Sequence, residues 1–258
     1  MTAPVATQHM PIFAPGTSAI AVSSLGDRTL LVELRTAVAR FFPQPVQHYL
    51  DMDAGSYRAL VAEAQDEINR QGFARRLAED RRSELARILD SPNIMLQTNL
   101  YLRAARPARV GGQEQVGWHR ESFYGPDMAA SVNLWMPVSD VSADSALRYL
   151  PDSHLIPDDA IGTEQQDDPT VARFSAGHRI GLLYAPKKIV RGVDFTTQQP
   201  LLVGSGEVAI FAGALIHGAG ENRSEQMRFS VDFRLIAADN LSASKHHFAS
   251  GKRYFEAL

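Results

Sequence analysis

Three residues spread over about a hundred positions have types and spacing that could hold a metal ion. His119 and Glu121 form a His-x-Glu pair in GWHRESFYG, and His217 lies in ALIHGAGEN. On a strand, residues i and i+2 point to the same side, so the imidazole and carboxylate of such a pair could grip one ion. The pair alone says little, because eight histidines and 29 acidic residues in 258 positions produce about one His-x-acid by chance. A histidine where an apolar run meets a glycine-rich turn is likewise more often structural than a ligand. Two histidines and one carboxylate together, however, make the facial donor set of non-haem Fe(II) oxygenases, which leaves positions for a co-substrate and dioxygen. That reading needs an anion clamp nearby. Arg228 and Ser230 supply one, eleven and thirteen residues after His217; a planar guanidinium and a hydroxyl suit a carboxylate. Arg-x-Ser by itself is common and reads equally well as the polar face of a solvated strand. The ordered set of His-x-Glu, His and Arg-x-Ser is much rarer.

The elements that must position these residues follow from hydrophobic periodicity. Asp27 to Phe42 reads as a helix, with Leu30, Leu31, Leu34, Val38 and Phe41 at three- and four-residue spacing and Pro43 ending the run. Further helices are expected over about 56–71, ended by Gly72, and over about 74–89, closed by Ser91-Pro92. After Pro92 the period changes to two. Residues 94–104, 131–138 and 227–236 each alternate apolar with polar positions and read as strands with one greasy and one polar face. Residues 207–216 are mostly apolar and read as a buried strand. Residues 156–180 are polar and punctuated by Gly and Pro, which predicts a long loop suited to be a lid or substrate wall. The expectation is one domain over 1–258: an irregular arm and helices to about 92, a β core over about 93–240, and a tail over 241–258. Helices first and antiparallel strands after them make the fold class α+β on a sandwich or barrel.

Composition narrows the function. A hydrophobic share of 45% and a charged share of 21% exclude disorder over most of the length. The net charge of −3 offers no basic excess for nucleic acid. No cysteine is present, which excludes disulfides, thiolate metal sites and a cysteine nucleophile. No apolar run approaches the roughly 20 residues that span a bilayer, and the N-terminus lacks the basic start and apolar run of a signal peptide. The expected location is the cytoplasm and the expected partner a small molecule. Arg103, Arg106, Arg109, Lys187, Lys188, Arg191 and Arg234 suggest an anionic substrate, set against the plainer reading that they are solvated surface cations. His154 and His178 read as structural. His246 and His247 are adjacent on an extended tail and point apart, which argues against a shared ion.

On these residues the sequence resembles the Fe(II)/2-oxoglutarate-dependent oxygenases of the phytanoyl-CoA dioxygenase-like family. The resemblance runs from about Gln97 to Ile236 through WHRE (118–121), VNLWMPVSDVSADSALRYLPDSH (132–154) and GEVAIFAGALIHGAGENRSEQMRFSVDFR (206–234). It implies a double-stranded β-helix (jelly-roll, cupin-like) core with the N-terminal helices packed outside. It implies Fe(II) on His119, Glu121 and His217, and 2-oxoglutarate as co-substrate, with its distal carboxylate on Arg228 aided by Ser230. Gln97 is a further candidate co-substrate contact, and Asn99 and Trp135 hold polar-face positions that could line the same cavity. The activity implied is hydroxylation of a small-molecule metabolite by O2, in secondary metabolism, with decarboxylation of 2-oxoglutarate to succinate and CO2. A jelly-roll metalloenzyme that does not use 2-oxoglutarate, such as an isomerase or another dioxygenase, would have no need of the Arg228 and Ser230 clamp. A non-catalytic ligand-binding jelly roll would leave the histidine–carboxylate set unexplained. Glu121 departs from the family's usual Asp, and as a ligating side chain it argues against a halogenase. Asp152 stands where the family has Gly in Pro-Gly-Ser-His, and Ala146 where a Gly is common, so those turns are expected to differ in shape.

Overall fold

A computed structural model describes residues 13, 18–108, 116–165, 187–241 and 253–258. Arg109, His178, His246 and His247, most of the N-terminal arm and positions 166–180 of the expected loop lie outside the described residues. In chain order the elements are β1 (Ile20–Ser24), α1 (Thr29–Ala39), α2 (Val46–Leu50), α3 (Ala54–Arg70), α4 (Phe73–Asp80), α5 (Arg82–Ile88), β2 (Ile94–Gln97), β3 (Tyr101–Ala105), β4 (Val132–Pro137) and β5 (Leu147–Tyr149). They continue with β6 (Gly162–Gln165), β7 (Lys187–Arg191), β8 (Gln199–Leu201), β9 (Glu207–Ala212), β10 (His217–Ala219), β11 (Arg228–Ala237) and β12 (Phe255–Ala257). No helix among the described residues is long and apolar enough to cross a membrane.

The main sheet runs β1-β9-β4-β11-β2-β12, with β3 also paired to β11, and a smaller sheet runs β10-β5-β8. Every pairing described is antiparallel. The two sheets face each other as a jelly roll, and the helices cover the outer face of the main sheet. Leu30, Leu34, Ile68, Leu77 and Leu85 of the helices pack there with Leu134, Met136, Ile210, Val231 and Phe233 of the strands. The strands' alternate residues, Trp135, Ala209 and Phe211, meet Leu147 and Leu201 between the sheets. This explains why β4, expected to have one greasy and one polar face, is buried along its whole length. Its second face lies between the sheets rather than in water, so the polar residues on it belong to the interior.

Several boundaries move for local reasons. The helix expected over 74–89 breaks at Arg81 (φ −108°, ψ 10°). There the Asp80 carboxylate accepts from the backbone N–H groups of Gly26 and Asp27, while the Arg81 guanidinium reaches Ser24 O and Ser23 Oγ. Tying down the β1–α1 connection costs the helix its continuity. Gly72, in the left-handed region at φ 68°, ends α3 as predicted. The strand expected over 94–104 splits, because four residues, 97–100, stand against two on β11: Leu96 pairs with Leu235 and Tyr101 with Asp232. Asn69 of α3 fixes that bulge through its bonds to the N–H and C=O of Leu100. The strand expected over 207–216 ends at Ala212. Gly213 runs so close to the 128–131 turn that a Cβ there would sit 2.5 Å from Ser131 Oγ and 2.7 Å from Met128 O. Two expectations are corrected outright: 162–165 is a strand paired with β7 rather than loop, and the C-terminal residues return to the sheet as β12 rather than trailing as a tail.

Candidate metal centre and its cavity

His119 and His217 are partners in an antiparallel bridge, each backbone N–H donating to the other's C=O at 2.9 Å. Directly opposed residues of an antiparallel pair put their side chains on one side, and the two imidazole centroids are 4.4 Å apart. Each ring is oriented by the carbonyl two residues before it: His119 Nδ1 lies 2.8 Å from Gly117 O and His217 Nδ1 lies 3.0 Å from Leu215 O. A carbonyl only accepts, so in the neutral ring Nδ1 carries the proton and Nε2 keeps the lone pair. Glu121 does not reach them along a strand as expected. It opens a 3₁₀ turn (Glu121–Tyr124), placed by its N–H donating to Gly213 O at 2.7 Å. The close approach that requires Gly213 therefore also positions the carboxylate.

Glu121 Oε1 lies 3.9 Å from each Nε2. The three ligand atoms are all within 4.8 Å of one another, and all three residues are buried. Glu121 Oε2 accepts from Arg234 Nε, whereas Oε1 has no hydrogen-bond partner. A buried carboxylate oxygen without a donor is costly, and here it faces two nitrogen lone pairs that cannot donate to it. A divalent cation resolves both problems at once, so the donor set fits a metal. Burial, reinforced by His217, holds the His119 imidazolium well below its usual range, and burial also lowers His217 against the opposing pull of Glu121. Both rings are thereby kept neutral and able to ligate.

Beside the triad a cavity opens between the sheets, lined by Asn133 and Trp135 of β4, Phe211 of β9, Leu147 of β5, and Arg228 and Asp232 of β11 along with both histidines. The inward residues of β11 alternate as Arg228, Ser230, Asp232 and Arg234. Arg228 is 3% exposed; its Nη1 donates to Ser145 O at 3.2 Å and its Nε has no partner. Burial, with the nearby Arg103 adding to it, pushes its pKa down to about 10. Ser230 Oγ and Asn133 Nδ2 are also buried without partners. Asp232 is held in a two-pronged pair by Arg103, at 2.5 Å and 3.0 Å.

Of the other residues singled out from sequence, Trp135 lines the cavity. Gln97 does not; its Oε1 accepts from the Arg234 backbone N–H at 2.9 Å, and its Nε2 donates to the Tyr254 hydroxyl at 2.6 Å. Asn99 is corrected: the bulge turns it toward α3, where it accepts from Asn69 Nδ2 at 3.0 Å. Among the cations, Arg103 and Arg234 reach the cavity or the triad, but each is already paired with a carboxylate. Arg106 donates to the carbonyls of Tyr49 and Met52, and Lys187, Lys188 and Arg191 lie on β7, which pairs with β6. Sequence reading missed Asn133, although it shares Trp135's face in VNLWMP. It also missed Arg120, buried between the two ligands, whose guanidinium donates to the carbonyls of Ser153 and Ile156 and to Asp158. Ser153 Oγ in turn accepts from the N–H of Ile216, so one short segment braces both ligand strands. Asp152 in that segment adopts the left-handed conformation (φ 58°) that the family's glycine would take freely.

A family model described as phytanoyl-CoA dioxygenase (PhyH) matches residues 21–230. Among solved structures, the chain is similar to the epimerase SnoN in complex with Fe3+, alpha ketoglutarate and nogalamycin RO. The two are 16% identical, with 93% of this chain and 91% of that one covered and a TM-score of 0.53. It is also similar to EvdO2 from Micromonospora carbonacea var. aurantiaca complexed with 2-oxoglutarate, at 17% identity, 86% and 87% coverage and a TM-score of 0.55. At these identities the likeness is one of fold. No curated protein matches the chain by sequence.

Proposed function

Because the chain belongs to the phytanoyl-CoA dioxygenase family, we propose that it is a non-haem Fe(II)- and 2-oxoglutarate-dependent oxygenase acting on a small molecule. The observation that carries this is the unpartnered Glu121 Oε1, buried 3.9 Å from the Nε2 atoms of both His119 and His217. Those three atoms would hold the iron, which when bound supplies the activation of dioxygen coupled to decarboxylation of 2-oxoglutarate to succinate and CO2. The rest is work for the protein. Arg228 and Ser230, buried with an unpaired N–H and an unpaired hydroxyl, would receive the distal carboxylate of 2-oxoglutarate and fix its orientation. Trp135 and Phe211 wall the cavity and exclude water beside that carboxylate, which strengthens its pairing with the guanidinium. Asn133 offers its amide N–H into the same space.

Hydroxylation of a metabolite in secondary metabolism is the reaction we propose. The epimerase SnoN, which shares this fold, holds nogalamycin RO together with Fe3+ and alpha ketoglutarate, and that complex supports a small-molecule substrate. The test is an anaerobic titration with Fe(II) and 2-oxoglutarate, followed by the visible charge-transfer band of the iron–co-substrate chelate. A band that is lost in His217→Ala and needs more 2-oxoglutarate in Arg228→Ala supports the proposal. Metal binding without a band would leave a metalloenzyme that does not use 2-oxoglutarate, and no metal binding would remove the oxygenase reading.

A further inference from the structure

We propose that Arg234 is a positioning residue of the metal centre: by holding Oε2 of Glu121 it presents Oε1 alone to the two histidines. The inference rests on the metal reading above. A glutamate has one more rotatable bond than the aspartate usual in this family, and its two oxygens are chemically equivalent. Left free, it could turn either oxygen, or both, toward a cation and occupy a further coordination position. Pairing with Arg234 removes that equivalence, because one oxygen is taken by a guanidinium N–H while the other stands equidistant from both Nε2 atoms.

The guanidinium is itself fixed. Arg234 is 6% exposed, and β11 sets its backbone opposite Asn133 of β4. Its own N–H is bound by Gln97 Oε1, and its Nη1 lies 3.3 Å from the Tyr254 hydroxyl. The guanidinium carbon sits 5.1 Å from the centre of the Tyr124 ring, and Tyr124 also meets His119 edge-on. Tyr254 immediately precedes β12, so the C-terminal residues complete a frame that runs from the chain end through Arg234 to Glu121. A surface cation or a receptor for an anionic substrate would not be enclosed and paired in this way. Lysine cannot replace this arrangement, because its single ammonium lacks the rigid fork that binds the carboxylate while touching Gln97 and Tyr254.

The experiment is a titration of the apo protein with Co(II) alone, read by its visible d–d bands, on wild type, His217→Ala, Arg234→Lys and Arg234→Met, with folding checked by circular dichroism. Wild type binds one ion, and His217→Ala loses it. The folded Arg234 variants bind about tenfold to a hundredfold more weakly, the range found when outer partners of metal ligands are removed, and their band shape changes as Glu121 turns. Unchanged or tighter Co(II) binding by folded Arg234→Lys, with the wild-type spectrum, overturns the inference. If neither Arg234 variant folds, Tyr254→Phe decides: weaker binding supports the role and unchanged binding overturns it. Wild type that binds no Co(II), or His217→Ala that binds it equally well, overturns the metal reading itself and not only this inference.

Discussion

Arg228 and Arg234 stand six residues apart on one face of one strand, both almost fully buried, and they have opposite electrostatic fates. Arg234 has Glu121, Gln97 and Tyr254 around it; although burial opposes its charge, Glu121 and the neighbouring tyrosines hold its pKa well above the ordinary arginine value. Arg228 has one backbone carbonyl and an idle Nε, and burial pulls it down to about 10. A buried charge with a matched partner belongs to the architecture. A buried charge without one is a cost the fold carries for a ligand. The same contrast divides the cavity: the Arg234 end is paired with Glu121 within the protein, and the Arg228 end, with its Nε unpartnered, is where we propose that an anion binds.

The largest effect expected from this contrast is on stability of the apo protein in urea. Arg234→Met leaves Glu121 as a buried, unpaired carboxylate and is expected to cost about 3–5 kcal/mol, whereas Arg228→Met removes an uncompensated charge and is expected to be neutral or stabilising. Equal losses in the two variants would break the comparison. Next in size is co-substrate binding. Arg228→Met is expected to weaken 2-oxoglutarate by about 1.5–3 kcal/mol, roughly ten- to hundredfold, measured by the titration that follows the charge-transfer band; wild-type affinity would place the clamp elsewhere. Ser230→Ala should lose less, about 0.5–1.5 kcal/mol of that affinity. It should leave apo stability intact, since its hydroxyl has no partner to lose, and a clear drop in urea midpoint would contradict that.

The smallest effect concerns pH. His154 is buried with neither ring nitrogen partnered, and burial holds its pKa below 6.5. The unfolded chain then binds more protons at that position than the folded chain does. Its contribution is complete above about pH 6.5 and is lost as the pH falls toward the lowered value. His119 and His217 add to the same slope. His154→Leu should therefore flatten, without abolishing, the acid-side fall of the unfolding midpoint; an unchanged slope would show that His154 is not part of it.

The candidate site was legible where chemistry is written locally. His119-x-Glu121, His217 and Arg228-x-Ser230 lie in short segments whose residue types alone suggest ligands and clamp, and the alternation in RFSVDFR correctly groups Arg228, Ser230, Asp232 and Arg234 on one face. Asn99 was misplaced because Asn69, a helix residue thirty positions earlier, inserts into its strand and creates a bulge, and the amide of Gln97 is taken by the Arg234 backbone N–H and the Tyr254 hydroxyl, both far along the chain. The break at Arg81 and the return of β12 were hidden for the same reason: each is decided by a partner distant in sequence.

What the sequence by itself determined is the period on which side chains alternate along its longest helices and strands. Backbone geometry makes every second residue of a strand a neighbour, whatever surrounds it. What only the tertiary structure decided is which face of each strand is interior and which polar groups meet there. Residue type and spacing brought Arg228 to notice, but the idle Nε it keeps, like the pairing of Glu121 with an arginine 113 residues away, exists only once two sheets have closed on each other. Burial makes charge expensive, and the positions at which it is left unpaid are set by that closure.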